Sequence, residues 1–332
     1  MADIVCIIRP MILAGIDEAG YGPVLGPLVV GCSAFEVPGN PDEAPPCVWK
    51  LLRKHVSKTR SKSGRKIHVN DSKQVYSPGI GLKELERSVL TILAASGEFP
   101  GDLTALLSRL CGAVLETVEK YPWYVRSDAE SFPFEQDAVS VRMMANALKL
   151  EMQRVNARCV HAGARLVCEA ELNRMFDATR NKGSVLFTQA ASHIEHLLSN
   201  FADQGLIITC DRHGGREHYG SLLRLMFPDW SLEIDHEVSE HSQYRLCQGR
   251  QTVIIHFREK AEAQCLPVAF ASMISKYLRE AMMRRFNAWW ATQMPGITPT
   301  AGYHGDGTRF LGEIDRRRRE LGICDAQLIR SR

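Results

Sequence analysis

The stretch that most restricts this chain is its first apolar run, Met11 to Ile16. It breaks off at once into the acidic pair Asp17-Glu18 and the turn Ala19-Gly20-Tyr21-Gly22-Pro23. A short uninterrupted apolar segment bounded by glycine and proline reads as a strand buried on both faces. A second apolar run, Val24 to Phe35, starts as soon as the turn ends. Together they predict a hairpin of strand, glycine-rich turn and strand, with two carboxylates where the first strand stops. Residues 1–10, ahead of Met11, are expected to be an extension with no part in the fold.

The remaining pattern alternates. Strands are expected at Leu206 to Cys210, ending in Asp211, at Ser231 to Val238 and at Thr252 to Phe257. Helical spacing covers Leu82 to Ala95, Leu103 to Lys120, Ala138 to Arg158, residues 169–202, Val268 to Trp290 and Thr308 to Leu321. Strands early and late, with helices between and after them, predict an α/β fold with a mixed sheet. Residues 37–47, rich in Pro, Gly and Asn, read as a loop. Residues 97–167 place helical stretches around an aromatic, proline-bearing segment, Tyr121 to Phe134.

Composition limits the function classes. With 332 residues, 45% of them hydrophobic, the chain can bury the core of one large domain or of a domain with an insertion. Lys and Arg number 41 against 38 Asp and Glu, so nucleic-acid binding would have to come from local clusters. One such cluster runs from Arg53 to Lys66, with seven basic residues and no acid; it reads equally as a phosphate-contacting loop or a solvated one. The ten cysteines form no C-x-x-C pair, which predicts free thiols, a reducing compartment and a cytoplasmic protein. No apolar run approaches the ~20 residues of a membrane span.

Strand ends in open α/β sheets are where polar side chains meet on a rigid support. If the strands ending in Asp17-Glu18 and Asp211 are neighbours, their carboxylates crowd together and raise one another's pKa unless cations fill the cluster. Hard oxygen donors of this kind suit Mg²⁺ or Mn²⁺. A single strand-end acid is more commonly a turn or cap residue, so position alone leaves both readings open.

Five segments, in order, resemble ribonuclease HII. They are Gly15-Ile16-Asp17-Glu18-Ala19-Gly20-Tyr21-Gly22-Pro23 with Gly26-Pro27; Asn70-Asp71-Ser72-Lys73; the helix holding Glu171-Leu172-Asn173 ahead of the strand that ends in Asp211; Lys260-Ala261-Glu262 with Pro267 and Ala271 to Glu280; and Gly302-Tyr303 before Thr308 to Leu311. The resemblance implies a ribonuclease-H-like mixed β-sheet flanked by helices, with a helical insertion and C-terminal helices. Residues 11–96 and 168–332 would form the catalytic domain and 97–167 the insertion. It implies a metal-dependent endoribonuclease that hydrolyses the RNA strand of RNA/DNA hybrids, or ribonucleotides embedded in DNA, in replication and repair.

By the same resemblance Asp17, Glu18, Asp211 and Glu262 would be the catalytic carboxylates, holding two Mg²⁺ or Mn²⁺ ions. Gly20, Tyr21, Gly22 and Tyr303 would contact the ribose 2′-OH, the handle that separates RNA from DNA, and Lys73 would hold a phosphate. Ser72, Lys260 and Glu280 would support these groups. The chain departs from the family at Tyr21, where Arg is usual, at Glu262, where Asp is usual, at Glu280, where Asp is usual, and in Arg212-His213-Gly214-Gly215 after Asp211. These departures keep two other readings open: a weak or inactive nucleic-acid-binding member of the fold, or a metal-dependent nuclease with another substrate. Outside the motifs, Trp289-Trp290 is expected in the core, Arg316 to Arg319 on a solvated helix face, and His213 and His218 in surface or structural roles.

Overall fold

The computed structural model describes residues 9–39, 43–77, 79, 81–128 and 130–331. Seven strands form one mixed sheet: β1 (Arg9–Ala19), β2 (Leu28–Gly39), β3 (Arg158–Val167), β4 (Leu206–Asp211), β5 (Ser231–Val238), β6 (His241–Gln248) and β7 (Gln251–Arg258). Their spatial order is β3-β2-β1-β4-β7-β6-β5. β1 pairs antiparallel with β2 and parallel with β4, which is in turn parallel to β7. The expected mixed α/β sheet flanked by helices is therefore present.

Both faces are covered. On one lie α1 (Lys83–Ala95), α2 (Leu103–Cys111), α3 (Ala138–Arg154) and the long α7 (Leu266–Gln293); on the other lie α4 (Glu169–Thr179), α5 (Lys182–Phe201) and α6 (Gly220–Met226). The last long helix, α8 (His304–Glu320), packs Phe310 against Phe286 and Trp290 of α7. Coverage on both sides explains why β1 is apolar without alternation: Leu13 faces the α7 core, while Ile12, Ala14 and Ile16 face the α5 core. Trp290 is fully buried and Trp289 partly so, as expected of core aromatics. Among the described residues no helix is long and apolar enough to cross a membrane, and the nine described cysteines are all unpaired.

Several boundaries differ from expectation. Arg9 and Pro10 belong to β1, pairing with Gly39 and Pro38, so the extension expected before Met11 is at least partly in the sheet; residues 1–8 lie outside the described residues. Residues 97–167 are not wholly a helical insertion, because their last ten residues are β3, hydrogen-bonded along β2. The helix expected to reach Arg158 stops at Arg154, where Asn156 takes left-handed backbone (φ 50°), a conformation Asn tolerates better than most residues. Similarly, residues 169–202 are two helices. Arg180 turns left-handed (φ 52°) and Asn181 caps α5 by accepting from the Ser184 N–H at 3.0 Å.

The closest contact between layers is backbone on backbone. A Cβ on Gly15 would lie 2.1 Å from the Val268 nitrogen, and one on Gly31 would lie 2.4 Å from the Ala271 carbonyl oxygen. Gly15 and Gly31 sit on neighbouring strands, and α7 presses into the trough they leave. Gly15→Ala or Gly31→Ala is predicted to cost about 3 kcal/mol or more, since neither backbone can yield to a methyl group. Urea unfolding checks this against Gly101→Ala, where a Cβ meets nothing within 4 Å. A loss no larger than that control's would mean the helix is free to lift.

Candidate metal centre

Sheet register delivers the first acids. β1 and β4 pair in parallel up to Ile16 and Cys210, so Asp17 and Asp211 follow at the same ends of adjacent strands, with Glu18 next along. Glu262 arrives from the other side. After β7 ends, Lys260 adopts left-handed backbone (φ 55°) and the chain folds into a single 3-10 turn, Ala261–Ala263. The Ala261 N–H donates to Asp211 Oδ1 at 3.0 Å, which ties that turn to the end of β4. Left-handed backbone at a non-glycine residue carries strain that its surroundings must hold in place.

The four carboxylates lie in one another's field. Burial first, then the charges of Glu18 and Asp211, hold Asp17 well above the usual carboxylate range; the Ser272 hydroxyl and the Glu18 N–H, which donates to Asp17 Oδ1 at 2.7 Å, offset this only in part. Burial and the Asp211 charge push Glu18 up to about 7 against the opposing pull of the Lys73 ammonium. Burial, then Asp211, then Asp71 push Glu262 to about 7. Asp211 is raised by burial and eased by the Ala261 N–H. Such a cluster costs folding free energy unless protons or cations neutralise it.

The donors fit a hard cation. All are carboxylate oxygens, and Glu262 Oε2 is buried with no hydrogen-bond partner. The cluster is nonetheless open: no three of these residues bring one oxygen each within 4.8 Å of one another.

The supporting groups fall around it. Ser72 and Lys73 open a one-turn helix whose N-cap, Asp71, accepts from the Lys73 N–H at 3.0 Å. Lys73 is exposed. Beneath it, α7 presents Ser272, 3.1 Å from the Ser72 hydroxyl, and Ser275, which donates to the Asp17 carbonyl at 3.0 Å. Glu280 accepts from Tyr76 and from Lys276, each at 2.7 Å, so it anchors the segment after Lys73. Lys260 pairs with Glu259 in solvent at 3.8 Å; its part in the site is its backbone. The basic loop reaches the centre too, as Lys58 donates to the Ala263 carbonyl at 2.8 Å.

The turn beside the acids rests on buried charges. Gly20 has φ 87°, and a Cβ there would lie 2.6 Å from the Pro27 oxygen, so glycine is required. Gly22 is exposed with open space around it. Tyr21 is half-buried within the field of Glu18 and Arg216. Gly302 accepts the Val24 N–H at 2.8 Å, which sets Tyr303 beside this turn, its ring 5.3 Å from the Arg279 guanidinium.

Three buried charges do this, and for none of them did the sequence suggest the role. Arg330 donates to the Gly20 and Tyr21 carbonyls, Arg279 to the Ala301 carbonyl at 2.9 Å, and Glu169 accepts from the Gly26 N–H at 3.1 Å and the Tyr124 hydroxyl at 2.6 Å. Arg279 lay within a motif but had no further signal, since Glu280 follows it and the pair reads as solvated charge. Glu169 and Arg330 had none, since their partners lie far off in sequence. Two further expectations resolve plainly. His213 is buried against Phe187, Tyr219 and Phe257, which pushes it down to about 3, whereas His218 is exposed and pairs with Glu237. Arg316 and Arg319 are exposed and pair with Glu320 and Asp315, as expected of a solvated face, whereas Arg317 and Arg318 are half-buried and pair with Glu320 and Asp325.

No protein-family model matches this chain, and no curated protein matches it. Among solved structures it is similar to the ribonuclease H2 from Pyrococcus horikoshii OT3, at 16% identity and a TM-score of 0.47 over 96% of this chain and 92% of that one. It is similar to Bst-RNase HIII in complex with Mn²⁺, at 14% identity and 0.48 over 99% and 70%. The RNase HII of the PCNA complex from Archaeoglobus fulgidus shares 15% identity at 0.41 over 97% and 95%. These likenesses concern the course of the chain and assign no residue a role.

In the metal-free chain the raised carboxyls bind protons more readily folded than unfolded. Between about 4.5 and 7 the folded state therefore holds more protons, and stability falls as pH rises through that window. Asp17→Asn keeps the acceptor for the Glu18 N–H but removes one charge. With chelator present it is predicted to stabilise the chain by about 1 kcal/mol at pH 8 and by less at pH 5. Thermal unfolding at the two pH values reads the difference; a destabilisation at pH 8 would contradict the repulsion.

Proposed function

We propose that the chain is a metal-dependent nuclease that hydrolyses the RNA strand of RNA/DNA hybrids, or ribonucleotides embedded in DNA. The observation that carries this reading is the meeting of Asp17, Glu18, Asp211 and Glu262, from three separate segments, in one partly buried cluster with an unpartnered oxygen. These four would hold Mg²⁺ or Mn²⁺. Such ions, when bound, supply water activation and charge neutralisation at the leaving oxygen of a phosphodiester.

The chain's own groups divide the remaining work. Lys73, exposed beside the acids, holds a phosphate as a point charge. The amides of Gly20, Tyr21 and Gly22 and the exposed Tyr303 ring read the ribose, with Arg330 holding the Gly20 and Tyr21 carbonyls and Arg279 holding the Ala301 carbonyl ahead of Tyr303. Residues 97–157, the insertion without β3, add a helical module against α1 and α7.

Purified chain with Mg²⁺ or Mn²⁺ is expected to nick a duplex carrying one embedded ribonucleotide, and Glu18→Gln is expected to abolish it. Absence of nicking on that duplex and on an RNA/DNA hybrid would sink the proposal. Gly22→Ala adds a methyl group into open space, so folding should be untouched. Activity on the embedded ribonucleotide should fall by about tenfold or more, the worth of one displaced substrate hydrogen bond.

A second reading, a weak or inactive nucleic-acid-binding member, is favoured by the open spacing of the acids and the longer Glu262 side chain. Glu262→Asp separates the two. A large gain in nicking would mean the native centre is compromised, and a loss would mean the backbone has compensated for the extra methylene.

A further inference from the structure

A different donor set lies on the opposite face of the sheet, beneath α5. Cys32 on β2, His161 on β3 and His193 on α5 each bring one ligand atom within 4.8 Å of the other two. Among the described residues they are the group of His, Cys, Asp and Glu side chains that meets this spacing. Cys32 and His193 are buried and His161 is half-buried.

The backbone makes room for the meeting. Cys32 pairs directly with Gly163, two residues beyond His161 on the same strand face. A Cβ on Gly163 would lie 2.9 Å from His161 Nε2, so the missing side chain is what lets that ring fold over toward Cys32. His193 is fixed from behind. Its Nε2 lies 2.9 Å from the Val30 carbonyl, which can only accept, so Nε2–H donates and Nδ1 keeps its lone pair. An imidazole oriented by a backbone carbonyl through its other nitrogen is the arrangement metal-ligating histidines use. Burial pushes both His161 and His193 down to about 4, so they are neutral and able to ligate near neutral pH. At the rim the ring of the exposed His196 lies tilted against His161, with centroids 4.3 Å apart, and brings a third imidazole to the cluster as a fourth donor.

We propose that Cys32, His161 and His193 form a second metal site, for Zn²⁺, with the fourth position taken by His196 or water. One thiolate and two imidazoles are soft and borderline donors that favour Zn²⁺ over the hard ions suited to the carboxylates. Tetrahedral zinc spaces such donors about 3.5 Å apart, so a trio already within 4.8 Å needs only side-chain adjustments to close on the ion. Binding releases the Cys32 thiol proton to solvent as the Zn–S bond forms. The ion cross-links the edge strand β3 to β2 and to α5, the helix that leads into β4 and Asp211. This inference is independent of the nuclease reading.

The test titrates the full chain, stripped with chelator, with Zn²⁺ against a chromophoric competitor, and separately with Co²⁺. The expected result is one tight equivalent, a thiolate-to-Co²⁺ charge-transfer band, and a higher unfolding temperature with Zn²⁺. Cys32→Ala should remove all three. His161→Gln, at a half-exposed position that leaves the core intact, should weaken Zn²⁺ binding by at least about tenfold and lose the thermal shift. No Zn²⁺ binding at micromolar concentration overturns the proposal. So does binding whose affinity and charge-transfer band survive in His161→Gln and, where it folds, in Cys32→Ala.

Discussion

The backbone of α7 lying directly on Gly15 and Gly31 is the contact on which the rest of the arrangement depends. Helix and sheet normally keep side chains between them. Here two glycines on adjacent strands remove that spacer, and Ser33, donating to the Pro267 carbonyl at 2.8 Å, pins the start of the helix. The consequence is positional. With the helix this close, Ser275 reaches the Asp17 carbonyl and Ser272 reaches Ser72, so one element sets the strand end and the Asp71-Ser72-Lys73 turn together. Further along, Arg279 of the same helix braces the segment before Tyr303, and Glu280 braces Tyr76. A single rigid rod thus fixes parts of the centre that lie far apart in sequence.

Electrostatics runs against this rigidity. Parallel register sets Asp17 and Asp211 at the ends of neighbouring strands, and the turn after β7 adds Glu262. Burial and mutual charge drive Glu18 and Glu262 to about 7, a state that packing must hold against repulsion. Nothing in the local fold requires carboxylates there. A structural role would be served as well by amides, which would not repel. An arrangement that costs stability and leaves a buried oxygen unpartnered is what a cation-binding centre requires before its ion arrives.

Much of this was legible in the sequence because the signals are local. The apolar run before Asp17-Glu18, the strand before Asp211 and the long helix with its alanines and serines each stand out within a dozen residues. What escaped depends on partners remote in sequence. β3, with Arg158, His161 and Arg165, carries too little apolar patterning to separate from the helix before it, and its identity comes from pairing with β2. β6, which buries Ser242, Tyr244 and Leu246 in alternation with more polar neighbours, was not among the expected strands. Glu169 and Arg330 take their roles beneath the glycine turn only once α4 and the C-terminal segment pack there. The Cys32, His161 and His193 cluster was invisible for the same reason, since its members share no motif and meet only across β2, β3 and α5.

The central claim is that four carboxylates on three segments form a centre for divalent cations, and anomalous scattering from crystals grown with Mn²⁺ tests it most directly. The account predicts Mn²⁺ bound among Asp17, Glu18, Asp211 and Glu262, with oxygens of at least three of them at ligand distance from the ion. Well-ordered carboxylates at those positions with no ion between them, at Mn²⁺ concentrations that saturate other carboxylate sites, would contradict it.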